Sequence, residues 1–522
     1  MSTHTKPGEI ANPVIPGFYS DPSICRVGKD YYTVCSSFEF YPGVPLFHSR
    51  DLVNWEQISY CLSRSSQLPL ANAVTSDGIY APTLRYHDQL FYMITSNRCS
   101  SFGNHFYVTA SAPEGPFSEP VWIVDVNGDA IDGVDPSLYF DDDGSVYFSC
   151  VAWDADGQGI GQAPIDLSLG RLLEPLKVIW HGTGGTFPEG PHTYRQNGWY
   201  YLMIAEGGTE YGHKVSIARS LNIQGPYESC PFNPVLTQNY QSVQSGCIQG
   251  VGHGDLLEAH DKTWWMIVHG FRTSVGKLHH LGRETMLVPV QWDENGWPVM
   301  NGDGRIGETT LLPGDFARTI QKEIPGFTED FSSPTPDLCW NFLRNPHWEN
   351  YQFSALDGKG VILLGSPASL NQENSPSWMG VRQRHFNCQI QIDMRFTPNT
   401  SDEAGFSVFQ TPEHHYDIVI TSEEGKTVCF LRKIVGDIEW TGAKFPLSCE
   451  YFSLRITASR TDYHFYLSEG NNDYELGRGR TQLLSTEAMQ YQNFTGTFFA
   501  LFAVSKNAHP APALFQQFLY EV

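Results

Sequence analysis

The 522-residue sequence predicts an all-β protein, and its composition and turn signals are the reason. Glycine and proline are abundant, with 48 and 33 residues, whereas charged residues make up only 17% and aromatic residues 13%. This composition is typical of turn-rich β proteins and not of helical or disordered chains. Apolar-aromatic runs joined by hairpin turns such as Asn197-Gly198 are a second β signal. The sequence contains no amphipathic helical pattern longer than a few turns.

One supersecondary phrase recurs five times in the first three hundred residues. In each copy an anchor residue precedes two apolar-aromatic strands, and the anchors are Asp21, Ala81, Asp135, Glu189 and Gly254. The anchors lie 54–65 residues apart, and a regular all-β period of this kind is typical of propeller blades. The sequence therefore predicts a five-bladed β-propeller over residues 1–311, with the fifth blade beginning at Gly246.

The repeated phrase stops after residue 311, and a different pattern follows it. Residues 312–328 are predicted to be a linker. Residues 329–522 contain seven or more short alternating strands with frequent turns, which predicts a β-sandwich. Two domains are also what the length of the chain favours.

Charge and terminal sequence exclude several classes of partner. The formal net charge of −24 argues against nucleic acid and anionic membranes, and it is neutral with respect to uncharged sugars. No apolar run approaches the length of a membrane span. The N-terminus lacks the basic and apolar regions of a secretory signal, so we expect a cytoplasmic protein.

Eleven cysteines without a CxxC pair, among them Cys35, Cys150 and Cys429, are expected to be reduced and buried.

Three of the five repeat anchors are acids: Asp21, Asp135 and Glu189. Equivalent positions of the innermost strands face one axis, and acids that converge there are unfavourable unless they are used. Two carboxyl groups on either side of a sugar ring hydrolyse glycosidic bonds. Glu189 follows Phe187 and Pro188, an apolar setting that favours a protonated acid, while Asp21 is the better ionised base. Taken singly, each acid could also be a structural turn residue.

The sequence resembles family 43 of the glycoside hydrolases, the group of β-xylosidases and α-L-arabinofuranosidases. The resemblance runs from residue 12 to about residue 300 and is carried by these motifs: NPVIPGFYSDPSI, FEFYPGVPLFHSRDLVNWE, GIYAPTLRY, DPSLYFDDDG, FPEGPHTY, AEGGTEYGH, GHGDLLE and GRETMLVPV. It implies a five-bladed propeller followed by a concanavalin-like β-sandwich. It also implies an inverting mechanism, with Asp21 as general base, Asp135 as orienter and pKa modulator, and Glu189 as general acid. Inverting carboxyl pairs are separated by about 6.5–9.5 Å.

The resemblance also implies two further contacts of the substrate. Arg283 in the GRE motif would be a substrate-contacting cation, and the alternative is an ordinary ion pair with Glu284. His253 in the GHGD motif would lie near the floor of the pocket, where some relatives hold calcium, and the alternative is a purely structural histidine. We expect no required cofactor and regard calcium at His253 as a candidate only, because no Asp-rich calcium loop accompanies it. Residues 141–144 are predicted to form a hairpin turn and not a metal loop.

Aromatic and polar residues complete the predicted pocket. Phe38 and Tyr80 are candidate platforms for stacking on a sugar, with core packing as the alternative. Many relatives carry tryptophan where this chain has Tyr80, which leaves the shape of the pocket open. Thr209 and Glu206 are further candidates for its lining.

The predicted function is an exo-acting hydrolase that releases terminal β-D-xylose from xylo-oligosaccharides by inversion. The nearest alternative is α-L-arabinofuranosidase activity on arabinosyl-substituted oligosaccharides, alone or alongside. An alternative from another class is a non-catalytic carbohydrate-binding propeller. We expect the sandwich to contribute a loop that closes one end of the pocket, and its edges make a homo-oligomer a candidate assembly.

Overall fold

The computed structural model describes residues 6–239, 247–307, 309–489 and 491–522. The predicted start of the fifth blade, Gly246, lies outside these residues. The fold is all-β, as predicted: a five-bladed β-propeller is followed by a concanavalin-like β-sandwich. Within the described ranges the helical elements are four short 3-10 helices, with the bounds Gly314–Arg318, Trp348–Asn350, Thr481–Leu484 and Thr486–Ala488. No helix among the same residues has the length and apolar character needed to cross a membrane.

Five antiparallel sheets form the blades, and each blade starts from an innermost strand and continues outward along the chain. The first contains Ser23–Val27, Asp30–Val34, Gly43–Ser49 and Glu56–Leu62. The second contains Thr83–His87, Leu90–Ser96, His105–Ala110 and Val121–Trp122. The third contains Ser137–Phe140, Val146–Asp154, Gly157–Asp166, Arg171–Leu172 and Lys177–Trp180. The fourth contains Glu189–Gln196, Trp199–Glu206, Lys214–Ser220, Glu228–Ser229 and Leu236–Thr237. The fifth contains Ile248–Glu258, Trp264–Arg272, Glu284–Trp292 and Pro298–Met300.

The innermost strands of the five blades form a closed ring, because each contacts the innermost strands of the blades on either side. The predicted turn at Asn197-Gly198 joins two of the strands, with Gln196 paired to Trp199. Both turn residues have positive φ, 51° and 83°, as a two-residue hairpin turn of this kind requires. Residues 141–144 form the predicted hairpin turn as well.

The buried carboxylate of Asp255 links the innermost strands of several blades. It accepts hydrogen bonds from Ser23 Oγ at 2.7 Å, Arg85 Nη1 at 2.7 Å and Tyr194 Oη at 2.6 Å. These partners come from the first, second and fourth blades, while Asp255 belongs to the fifth. The acid that follows the fifth repeat anchor is therefore part of the scaffold.

The N-terminal segment closes the propeller against its last blade. Strand Glu9–Ala11 pairs with Thr309–Leu311. The predicted linker, residues 312–328, contains the 3-10 helix Gly314–Arg318. Its last two residues already belong to strand Phe327–Glu329, which pairs with Ala513–Glu521 of the sandwich.

The sandwich consists of two large antiparallel sheets. One contains, in spatial order, Tyr351–Leu356, Lys359–Leu363, Ala513–Glu521, Cys388–Arg395, Tyr451–Ala458, Asp462–Glu469 and Asn472–Arg480, with Phe327–Glu329 beside Ala513–Glu521. The other contains Ile438–Thr441, Lys426–Val435, His414–Glu423, Asp402–Thr411, Phe498–Ser505, Ser377–Arg382, Asn341–Leu343 and Phe40–Tyr41, with Phe445–Pro446 beside Lys426–Val435.

The two domains share a sheet and a core. The edge strand Phe40–Tyr41 belongs to the first-blade segment and pairs with Asn341–Leu343 of the sandwich. One apolar cluster runs from Leu62 and Met93 in the propeller to Ile392 in the sandwich. Because the boundary is buried in this way, the sandwich is fixed against the face of the propeller near Phe38. Cys35, Cys150 and Cys429 are buried free thiols, as predicted.

Candidate active site

One cavity at the propeller axis contains eight of the nine residues predicted for the site. It measures about 350 Å³, counting the part that is open to solvent. Its lining is Asp21, Phe38, Tyr80, Ala81, Val134, Asp135, Glu189, Thr209, His253, Arg283 and Phe494. Phe494 is the one residue in this lining that comes from the sandwich domain.

The acids reach the cavity because each precedes or opens an innermost strand. Asp21 and Asp135 lie two residues before Ser23–Val27 and Ser137–Phe140, and Glu189 is the first residue of its strand. Asp21 and Asp135 have positive φ values of 53° and 56°. Non-glycine residues adopt this left-handed conformation at an energetic cost and are concentrated at functional sites.

Asp21 is surrounded by donors and cations. Its Oδ1 lies 2.7 Å from Arg283 Nη1 and 3.0 Å from His269 Nδ1. Its Oδ2 accepts hydrogen bonds from Ser36 Oγ at 2.6 Å and Ser20 Oγ at 2.8 Å. Burial acts to raise the pKa of Asp21, but the Arg283 charge and the His269 hydrogen bond outweigh it and hold this pKa well below its ordinary value. Asp21 is therefore ionised.

Glu189 has the opposite environment. Among the described residues no donor lies within hydrogen-bond distance of its buried Oε1, and the nearest cationic candidate, His213 Nε2, is 3.9 Å away. Burial, followed by the negative charges of Asp135 and Asp21, raises the pKa of Glu189 well above its ordinary value. Burial also lowers the pKa of His213 well below its ordinary value, so this imidazole is neutral. Glu189 therefore keeps its proton to a higher pH than an ordinary glutamate.

Asp135 is the third carboxyl group of the cavity, and it contacts the backbone next to Glu189. Its Oδ2 accepts a hydrogen bond of 3.1 Å from the backbone N–H of Gly190, the residue after Glu189. Burial raises the pKa of Asp135, and the charge of Asp21 adds to this effect against the attraction of His253. Asp135 thus contacts the backbone that carries Glu189 and does not bond to the Glu189 carboxyl itself.

Arg283 is bound to Asp21, and the alternative ion pair with Glu284 is wrong. Glu284 instead pairs with Arg272, at 2.7 Å. Arg283 directly precedes the strand that begins at Glu284, and neighbouring side chains of extended backbone point to opposite sides, so these two side chains do not face each other. The Arg283 guanidinium also lies over the rings of Phe38 and Phe494, at 5.7 Å and 5.3 Å from their centroids.

His253 lines the cavity, with its Nδ1 3.7 Å from Asp21 Oδ1. In the described ranges, the side chains grouped closely enough that they could hold a metal ion lie elsewhere, at Asp154, Asp156 and His181. Calcium at His253 stays a prediction of the sequence.

Three aromatic rings form one wall of the cavity. Phe38 stacks on Phe494 with 5.5 Å between ring centroids, and Tyr80 lies 5.3 Å from Phe38. Phe38 and Tyr80 were predicted as platforms. Phe494 was not, since nothing in its local pattern distinguishes it from the apolar strand that follows, although a closing loop from the sandwich was expected.

Other residues depart from the predicted roles or were missed. Glu206 is outside the cavity lining and accepts hydrogen bonds from Thr183 and Ser216, so its predicted place in the pocket is wrong.

His269, which binds Asp21, was not predicted. Its partner lies 248 residues away in sequence, and no local motif indicates the contact.

Comparison with protein families gives two matches that together cover almost the whole chain. Residues 10–298 match the family described as Glycosyl hydrolases family 43. Residues 328–521 match the Beta xylosidase C-terminal Concanavalin A-like domain.

Individual relatives agree with the family matches. A non-reducing end α-L-arabinofuranosidase of Bacteroides ovatus is 40% identical over 97% of this chain and 94% of its own length. A xylosidase/arabinosidase of Butyrivibrio fibrisolvens is 36% identical over 88% of this chain and 89% of its own length. The solved structure of a xylan β-1,4-xylosidase from Bacillus halodurans has a TM-score of 0.90 at 32% identity, covering 98% of this chain and all of that one (100%).

These relatives are named as glycosidases, and the similarity covers most of their length. The comparisons therefore favour an enzyme over a non-catalytic carbohydrate-binding propeller. The chain belongs to glycoside hydrolase family 43 and is a glycosidase with a C-terminal concanavalin-like domain.

Proposed function

We propose that the chain is an inverting exo-glycosidase in which Asp21 is the general base and Glu189 the general acid. The observation that carries this proposal is the opposite shift of two carboxyl pKa values in one cavity. Groups whose environments push their pKa values apart are the usual acid and base of a hydrolase. Glu189 is buried and faces other negative charges, whereas Asp21 faces a guanidinium.

The two groups support a single-displacement reaction. Glu189 transfers its proton to the glycosidic oxygen as the bond to the anomeric carbon breaks. Asp21 accepts a proton from a water molecule, whose oxygen attacks that carbon from the opposite face of the sugar. Arg283, Ser20 and Ser36 fix the Asp21 carboxylate and keep it ionised. The predicted separation of about 6.5–9.5 Å between the two carboxyl groups is part of this proposal.

Asp135 is assigned the role of orienting Glu189. Its hydrogen bond to Gly190 N–H holds the start of the strand that carries Glu189. Its negative charge also helps to raise the pKa of Glu189, which keeps the acid protonated until the leaving oxygen accepts the proton.

The shape of the cavity favours a terminal sugar. Phe494 and Phe38 stack on one side of the cavity, which favours a terminal sugar over a chain that passes through the site. A pentose lacks the exocyclic hydroxymethyl group of a hexopyranose and suits a small cavity with aromatic walls. We therefore propose terminal β-D-xylose of xylo-oligosaccharides as the substrate group.

Terminal α-L-arabinofuranose is the second candidate. It is favoured by the Bacteroides ovatus relative, which is named an α-L-arabinofuranosidase, and by the Butyrivibrio fibrisolvens relative, which is named for both activities. Both sugars present a leaving oxygen to the same acid. A cytoplasmic location, which suits short oligosaccharides, and a homo-oligomer remain proposals from the sequence.

The test compares 4-nitrophenyl β-D-xylopyranoside with 4-nitrophenyl α-L-arabinofuranoside, with and without a chelator. The variants are Asp21→Ala and Glu189→Ala, with Asp143→Asn in an exposed turn as a control. We expect the xyloside to be preferred, Asp21→Ala to abolish turnover and the control to match wild type. NMR of the first-formed sugar should show the inverted anomer.

If wild type has a higher kcat/KM on the arabinofuranoside and the two catalytic variants still lose activity, the substrate is terminal α-L-arabinofuranose and the assignment of the acid and base is kept. Full activity in both catalytic variants would contradict the assignment of the site. Loss of activity with chelator, restored by calcium, would show that a metal is required.

A further inference from the structure

A segment of the sandwich, residues 491–497, crosses the mouth of the propeller, and we call it the strap. Its Gln492 Nε2 donates to Thr209 Oγ1 of the fourth blade at 3.0 Å. The backbone N–H of Thr497 donates to His280 O, beside the fifth blade, at 2.9 Å. Between these two anchors lies Phe494, whose ring lines the cavity.

The centre of the strap is held by one hydroxyl group of the propeller, that of Ser76. Ser76 Oγ donates to Asn493 Oδ1 at 3.0 Å and accepts from the backbone N–H of Phe494 at 2.9 Å. Thr495 Oγ1 donates to the same Asn493 oxygen at 3.0 Å. Ser76 and Asn493 are buried, with 4% and 5% of their surface exposed, so water does not replace these bonds in the folded protein.

Ser76 is itself fixed from the side of the first blade. Its backbone N–H donates to Glu39 Oε2 at 3.1 Å, and Glu39 is buried. Glu39 follows Phe38, whose backbone N–H donates to Ile79 O at 2.8 Å. The two stacked rings of the wall, Phe38 and Phe494, are therefore tied to the same short segment of the propeller, one through the chain and one through Ser76.

The strap also reaches the ionised carboxylate. The backbone oxygen of Phe494 accepts a bond of 3.4 Å from Arg283 Nη2, and Arg283 Nη1 binds Asp21. A displacement of the Phe494 backbone would thus change one wall of the cavity and the second contact of the Arg283 guanidinium together.

We propose that Ser76, supported by Glu39, is a positioning residue of the pocket, which fixes the Phe494 ring against the sugar. The proposal rests on the proposed function for its kinetic readout. Ser76 does not line the cavity, so it would act only through the strap. A merely structural role in docking the domains would instead affect stability and leave the kinetics of the folded enzyme unchanged.

The experiment measures kcat and KM of Ser76→Ala on both 4-nitrophenyl glycosides. Loss of this buried hydroxyl should lower kcat/KM on the preferred substrate about tenfold, mainly through a higher KM, since ground-state contacts with the Phe494 wall are weakened. The ratio of kcat/KM between the two substrates should change as well, because the wall defines the shape of the pocket. Ser76→Gly, which relieves the positive φ of 62°, should show the same kinetic loss.

A double-mutant cycle identifies the route of the effect. If Ser76 acts through Phe494, Ser76→Ala should change kcat/KM less than twofold in a Phe494→Ala background. The control is Tyr60→Phe, which removes a different hydrogen bond between the domains, from Tyr60 Oη to Leu338 O at 2.9 Å. This control should keep the wild-type KM, whatever its melting temperature.

The proposal would be overturned if folded Ser76→Ala kept the wild-type KM and the wild-type ratio of kcat/KM between the two substrates. It would also be overturned if Ser76→Ala lowered kcat/KM equally in the wild-type and the Phe494→Ala backgrounds. If Ser76→Ala does not fold, Asn493→Ala breaks the same contact from the side of the strap, and the same outcomes apply. A wild-type enzyme that turns over neither glycoside would instead refute the proposed function.

Discussion

The guanidinium of Arg283 lies 2.7 Å from Oδ1 of Asp21, and the same guanidinium covers the aromatic wall formed by Phe38 and Phe494. One cation therefore serves the ionised carboxylate and the sugar-facing wall together. This arrangement explains how a carboxyl group that is almost completely buried remains ionised. It also makes the acidic side of the pH profile depend on Arg283.

Replacing Arg283 with methionine should move the acidic limb of the kcat/KM profile to higher pH. Burial would then act on Asp21 without its main counter-charge, and the pKa of Asp21 would rise. Because the base must be ionised, activity at low pH is lost first. The measurement is kcat/KM against pH, and the control is Arg219→Met, a cation that lies over Trp199 and Trp297 on the outer face. An unchanged acidic limb in Arg283→Met would contradict the role of this pair.

Replacing Asp135 with asparagine should move the basic limb to lower pH. The charge of Asp135 helps to raise the pKa of Glu189, so its removal lowers that pKa, and the acid is lost at a lower pH. Asparagine keeps an oxygen for the Gly190 N–H, so the backbone contact is retained. The pH dependence of kcat/KM checks this expectation, with Asp143→Asn as the control. A basic limb that coincides with wild type would argue against the coupling of the two carboxyl groups.

Glu39→Gln should stabilise the protein at pH 8 and have little effect at pH 4. Burial raises the pKa of Glu39 from its ordinary 4.5 to about 7, so the folded state binds a proton more tightly than the unfolded state. The contribution of Glu39 to stability is therefore fully present below pH 4.5 and is lost as the pH rises through about 7, by about 3 kcal/mol at about 1.4 kcal/mol per pKa unit. Glutamine removes this loss and still accepts the Ser76 N–H. Melting temperatures at the two pH values measure the effect, and equal shifts at both would contradict it.

Asp255→Asn should destabilise the propeller by about 3–5 kcal/mol, because it leaves Arg85 as a buried charge without its counter-ion. Ser23→Ala removes a hydrogen bond to the same carboxylate and the acceptor of the Leu84 N–H, but it leaves no unpaired charge and should cost about 1.5–3 kcal/mol. Chemical denaturation of both variants measures the difference. Comparable losses in the two variants would show that Asp255 acts as an ordinary hydrogen-bond acceptor.

Repetition explains what could be predicted from the sequence. The recurring anchors define the blades, and equivalent positions of a propeller share one axis, so Asp21, Asp135 and Glu189 could be brought together without a structure. The same reasoning cannot give the partners of these acids. Arg283 is 262 residues from Asp21 in sequence, and its strand pattern fits a neighbouring ion pair equally well until the two faces of the strand are known.

Contacts between the domains could not be predicted in the same way. Phe494 precedes an apolar strand and has no distinguishing neighbours, and its position depends on a hydroxyl group of Ser76, 418 residues away. Glu206 shows the converse error. It is the last residue of a blade strand, close to the pocket residue Thr209 in sequence, but Thr183 and Ser216 bind its carboxylate in the scaffold.

The most direct test of the central claim compares leaving groups in the two acid variants. With 4-nitrophenyl β-D-xylopyranoside, Glu189→Ala should lose activity about 10²–10⁴-fold, the usual contribution of a general acid. With the 2,4-dinitrophenyl glycoside, whose leaving group needs no proton, Glu189→Ala should regain most of this loss. Asp21→Ala should stay inactive on both, because water still lacks its base. Equal losses of Glu189→Ala on the two glycosides, or recovery of Asp21→Ala on the activated one, would contradict the assignment of acid and base.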